Sequence, residues 1–141
     1  MSRPAGATQG LLDTSVVILM RRVRHPARLP TESYITAVTL AELSVGPLTA
    51  ADDRERATRQ ARLQQVEADF DPLPFDAAAA RAFGRVAASL RAAGRKPTSR
   101  GFDALIAAVA LAHGLPVCTA NPSDFDGIDG LTVVAVEIDR S

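Results

Sequence analysis

Residues 102–120, "FDALIAAVALAHGLPVCTA", decide how the chain folds. From Phe102 to Leu111 every position is apolar except Asp103, a run too long for one strand, so it predicts a helix buried on most of its surface. His113-Gly114 supplies the stop, and "LPVCTA" (115–120) then reads as a short buried strand. The exception needs explaining. Ile106, Ala107, Ala110 and Leu111 share the helical face of Asp103, so burying them half-buries the carboxylate as well. The helix dipole returns at most about 1 kcal/mol in the first turn. Desolvating an unpaired carboxylate costs several.

The same alternation continues in both directions. "GLLDTSVVILMRR" (10–22) predicts a strand entering a helix through an Asp-Thr-Ser turn able to cap it. "VRHPARLP" (23–30) is a loop by its prolines. "ESYITAVTLAELSVGPL" (32–48) repeats the plan, with β-prone Ser33 to Thr36, then Val38, Ala41, Glu42 and Val45 as a core-facing helical stripe, stopped at Gly46-Pro47. Residues 49–70 predict a helix with a wide solvated face that includes Arg54, Arg56, Arg59 and Arg62. "DPLPF" (71–75) is a strand candidate, residues 76–94 a helix capped by Asp76 and ended at Gly94, 95–101 a loop, and "TVVAVEI" (132–138) a second buried strand. Strands alternating with helices imply an α/β fold: one domain over residues 10–141, with a mostly parallel sheet of four to five strands covered by helices on both faces, after a loose lead-in at 1–9.

Composition narrows the function. At 141 residues the chain suits one domain that needs no disulfide or metal staple. The lone Cys118 sits in an apolar run, as expected of a reducing compartment. The N-terminus lacks the apolar core of a signal peptide, and no apolar span reaches the roughly 20 residues a bilayer takes, so a cytoplasmic protein with no membrane partner is expected. Net charge is zero, which removes a whole-protein attraction for nucleic acid, though a local patch acts over a Debye length of about 10 Å.

Two more acids stand where apolar or small residues would be expected. Glu42 lies on the stripe assigned to the core, and Asp13 ends the first strand, where N-capping alone could account for it. A further acidic stretch, "TANPSDFDG" (119–127), follows the strand at 115–120. Ligands of open parallel sheets bind at the carboxyl ends of strands, which is the edge that Asp13 and Asp124 occupy. Carboxylates 4 Å apart repel by about 4 kcal/mol at an effective dielectric of 20, so three or four of them need protons or cations. An all-oxygen set selects hard ions, Mg²⁺ or Mn²⁺, which complete their shells with water and phosphate oxygens. The chemistry indicated is that of phosphoesters.

In order and spacing, "LLDTSVVI", "ITAVTLAELSVG", "FDALIAAVALAHGLPVCTANPSDF" and "GLTVVAV" resemble the PIN-domain ribonucleases, most closely the VapC-type toxins of toxin–antitoxin modules. The resemblance implies Asp13, Glu42, Asp103 and Asp124 as catalytic acids around one or two Mg²⁺ or Mn²⁺ ions, with Asp13 and Asp103 binding most directly and Glu42 often through water. Asn121 stands where many relatives carry aspartate, leaving Asp124 as the remaining carboxylate. Thr14 or Ser15 resembles a hydroxyl that contacts the metal or its water. The implied reaction is endonucleolytic hydrolysis of RNA, leaving 5′-phosphate and 3′-hydroxyl ends, with a VapB-type antitoxin as partner and a homodimer as assembly. Arg21, Arg22, Arg24 and Arg28, and Arg95, Lys96 and Arg100, are candidate phosphate contacts.

Rival chemistries lack their residues. A haloacid-dehalogenase-like phosphatase needs an aspartate two residues after Asp13, where Ser15 stands, and a receiver domain needs an acidic pair and a late lysine. A dinucleotide or P-loop fold needs a glycine-rich first turn, which "LLDTSVV" does not offer. The remaining alternative is a PIN-like module of weak catalytic power that binds RNA or protein.

Overall fold

The computed structural model describes residues 8–96 and 101–139. Most of the expected lead-in and of the loop at 95–101, Arg100 included, lies outside the described residues. Four strands form one sheet, β1 (Gln9–Leu12), β2 (Glu32–Tyr34), β3 (Val117–Thr119) and β4 (Val133–Ala135), in the order β2-β1-β3-β4 with every neighbouring pair parallel. Among the described residues five α-helices cover it: α1 (Thr14–Ile18), α2 (Ala37–Val45), α3 (Asp53–Asp69), α4 (Ala77–Ala92) and α5 (Gly101–His113).

The period-2 alternation of the strands divides the core. Leu11 and Val117, paired in register, face α4 and α5, while the next pair, Leu12 and Cys118, faces the cluster built by Val16, Val17, Leu43 and Val66. In α4, Ala79, Ala82, Val86 and Leu90 form the buried stripe at helical spacing, and their small members bring it close to the alanine-rich α5. The turn from α5 into β3 is set by Gly114 at φ 65°: its N–H donates to Leu111 O and that of Leu115 to Ala110 O, at 3.2 and 2.9 Å. Because α5 enters β3 through this short turn, its first residues lie back at the carboxyl edge of the sheet.

Three expectations are corrected. "DPLPF" is no strand: Leu73 makes one parallel bridge to Thr36, with its N–H on Ile35 O and its carbonyl receiving Ala37 N–H, because the flanking Pro72 and Pro74 have no N–H to extend the ladder. β4 is one of the sheet's two edge strands and only half-buried. In α2 the buried positions are Val38, Thr39 and Leu43, and Val45 is 53% exposed, so the core-facing stripe is rotated away from Ala41 and Val45 and Glu42 sits at its edge. No helix among the described residues is long and apolar enough to cross a membrane.

Candidate active site

Asp13 is the first residue after β1, its N–H held by Cys118 O at 3.0 Å. Its extended backbone, φ −78° and ψ 174°, makes it the N-cap of α1, with Oδ1 accepting Val16 N–H at 3.1 Å. The capping role is therefore real, yet it leaves the burial unexplained, since the residue is only 4% exposed and an ordinary cap is wet. Burial pushes its carboxyl above the usual aspartate range; hydrogen bonds from Ser15, Thr119 and Val16 pull it back, and the nearby Asp124 raises it again.

The hydroxyls beside Asp13 are committed to carboxylates. Ser15 Oγ donates to Asp13 Oδ1 at 2.6 Å and accepts the Ala120 N–H at 3.1 Å, which ties the start of α1 to the segment leaving β3. Thr14 Oγ1 donates to Glu42 Oε1 at 2.7 Å. Its single proton being spent there, the 2.9 Å contact with Thr39 has Thr39 as donor, and a directed chain runs Thr39 to Thr14 to Glu42. Glu42 is half-buried; burial raises its carboxyl above the usual glutamate range, the Thr14 bond lowers it and Asp13 raises it.

Asp124 stands in the 3-10 turn Pro122–Phe125, which the buried Phe125 anchors to the core, and its N–H donates to Asn121 O at 3.0 Å. Asn121 itself is exposed, with its N–H on Thr119 Oγ1 at 3.0 Å. Asp103 is half-buried in the first turn of α5, a helix that packs against α2 as well as α4. The acids are thus carried to one edge of the sheet by four separate segments. There Asp124 raises the Asp13 carboxyl, and Asp13 raises that of Glu42.

Sequence reasoning missed Thr39 and Thr119, both wholly buried. Thr36, Thr39 and Glu42 recur every third residue, so the helical face they share was a readable signal for the first; Thr119, a β-branched residue in a strand, gave none. The candidate phosphate contacts divide. Arg21 and Arg22 are exposed on the 3-10 turn Met20–Arg22. Arg24 forms an exposed ion pair with Glu137 at 3.8 Å, and Arg28 lines a small cavity with His25 and Cys118. The Arg95 guanidinium donates to Asp126 O at 2.9 Å and Ser123 O at 3.4 Å, bracing the turn that carries Asp124, while Lys96 is exposed.

Among the described residues no three His, Cys, Asp or Glu side chains are drawn together as a finished ligand set. The chemistry of the donors nonetheless fits a hard divalent ion: the charged groups that move the Asp13 and Glu42 carboxyls are acids, with no cation among them. Carboxylates and hydroxyls alone could hold such an ion together with an anionic ligand.

The family model for the PIN domain matches residues 10–131. Ribonuclease VapC5 of Mycobacterium tuberculosis is 43% identical over 129 residues, covering 90% of this chain and 93% of that protein. Ribonuclease VapC1 of Rickettsia felis is 30% identical over 89% and 95%. Among solved structures, a VapBC-5 member of the VapBC toxin–antitoxin family from M. tuberculosis superposes with a TM-score of 0.80 at 42% identity, covering 92% of this chain and 99% of that one.

Proposed function

The chain belongs to the PIN-domain family, and from that premise we propose that it is a VapC-type toxin, an endoribonuclease that hydrolyses RNA phosphodiester bonds and is restrained by a cognate VapB-type antitoxin. The observation that carries this reading is Asp13, a carboxylate held almost free of solvent at the carboxyl edge of the sheet beside Asp124 and Glu42. A structural N-cap needs no acidic neighbours, whereas a site for a cation and a phosphodiester does.

In this reading Asp13 and Asp103 would hold one Mg²⁺ or Mn²⁺, Glu42 would support it less directly, and Asp124 would complete the set or serve a second ion. When bound, the ion supplies positive charge against the phosphate and acidifies a water molecule. The chain's own residues do the rest. Ser15 and Thr119 fix the Asp13 carboxylate, and Thr39 through Thr14 fixes Glu42, so the acids are held in place before a substrate arrives. Water entering in line opposite the 3′-oxygen leaves 5′-phosphate and 3′-hydroxyl ends. A homodimer is the proposed assembly. Incubating the purified protein with total cellular RNA tests the assignment: cleavage with Mg²⁺ or Mn²⁺, abolished by EDTA, with new ends that ligate as 5′-phosphates, supports it. Intact RNA under every metal condition contradicts it and favours a binding module.

A further inference from the structure

Helix α3 was expected to turn its arginines to solvent, and the structure divides them. Arg54 is exposed, and Arg56 pairs with the exposed Asp53. Arg59 packs over Gly46, donates to Gly46 O at 2.9 Å and to Thr49 Oγ1 at 3.4 Å, and pairs with Glu55, so its fork is spent on bracing α2 against α3. Arg62 differs. It is half-buried, and its guanidinium takes part in none of the hydrogen bonds or ion pairs among the described residues. It lines a cleft of about 240 Å³ together with Ile18, Glu42, Leu43, Gly46 and Arg59.

Glu42, one of the acids of the candidate active site, is among the residues that line this cleft. A polyanion lying across clustered carboxylates is repelled by them, and its neighbouring phosphates need a cation beyond the acids. A guanidinium with an unspent planar fork, already stripped of part of its hydration, is the side chain suited to a phosphate oxygen pair. We infer that the Arg62 cleft is a substrate subsite, in which Arg62 takes an RNA backbone phosphate flanking the scissile one while Ile18 and Leu43 form the apolar wall against the adjoining nucleotide. The inference rests on the ribonuclease reading and adds to it a binding residue on α3.

The test compares Arg62→Gln with Arg54→Gln, which removes the same charge from an exposed site on the same helix. Binding of a fluorescein-labelled, mixed-sequence, single-stranded oligoribonucleotide is followed by polarisation across a KCl series, in an Asp103→Asn background so that the probe stays whole. Arg62→Gln is expected to weaken binding about tenfold and to make the slope of log affinity against log salt shallower by about 0.7, the value of one phosphate contact on a single strand. Arg54→Gln is expected to change neither appreciably. In the otherwise wild-type enzyme cleaving total RNA, the loss from Arg62→Gln falls on KM. If the wild type binds and cuts RNA while Arg62→Gln matches Arg54→Gln, the subsite is refuted and the ribonuclease reading stands; the subsite is refuted in the same way if Arg62→Gln loses only binding to the antitoxin. If the wild type neither binds nor cuts RNA, the ribonuclease reading fails and the subsite with it.

Discussion

Replacing Ser15 with alanine removes one hydroxyl that joins two segments of the site. Its 2.6 Å bond to Asp13 Oδ1 is charge-assisted, a class worth about 1.5–3 kcal/mol. Its 3.1 Å contact with Ala120 N–H is an ordinary bond, and the donor is half-buried, so water can replace part of the roughly 1 kcal/mol lost there. The two together give a destabilisation of about 2–4 kcal/mol. At about 3 °C per kcal/mol for a domain of this size, Tm falls by about 6–12 °C. Urea denaturation of the metal-free protein at neutral pH measures the loss, with Ser44→Ala as control, because the Ser44 hydroxyl bonds only an exposed carbonyl of its own helix, that of Leu40. The control should stay within about 0.5 kcal/mol of wild type. A Ser15→Ala loss no larger than the control's would mean that this hydroxyl does not hold Asp13 and the β3 segment together.

Thr39→Val keeps the buried shape and deletes the first donor of the Thr39–Thr14–Glu42 chain; kcat is expected to fall about tenfold, with Thr39→Ser recovering most of it, and equal activity of the two variants would remove Thr39 from the site. Asp13 gives a pH signature in the metal-free protein. Its folded-state pKa is raised above the ordinary 3.8, so its favourable contribution is complete below that value and is lost as pH rises through the raised pKa. Asp13→Asn should therefore stabilise the metal-free fold at neutral pH, with the gain vanishing near pH 3; thermal melts in EDTA check this, and a less stable variant at pH 7 contradicts it. Cys118, buried and with its thiol pushed up to about 11, should resist a thiol reagent in the native state and react on unfolding; rapid native labelling would refute its place in the core.

What could be read from the chain followed periodicity. α5 and β3 were legible because a long apolar run with a glycine stop has one cheap solution, and Asp103 stood out because it broke that run. Asp13 and Asp124 could be placed on one edge because parallel topology fixes where strands end. Less was legible where contacts cross between elements. The rotation of α2 that buries Leu43 and exposes Val45 is set by packing against the sheet, which local spacing cannot report. Arg59 and Arg62 share one helix and one charge, and only the neighbouring α2 and α1 give them different surroundings. Arg95 read as a phosphate contact because its partners are backbone carbonyls, invisible in sequence.

The central claim is that these acids form a cation-dependent site for RNA hydrolysis. The most direct measurement is cleavage of total cellular RNA by wild-type protein and by Asp103→Asn, side by side in Mg²⁺ and Mn²⁺, with circular dichroism of both. Cleavage by the wild type alone, from two equally folded proteins, is the predicted result. Undiminished cleavage by Asp103→Asn, or by the wild type in excess EDTA, would contradict it.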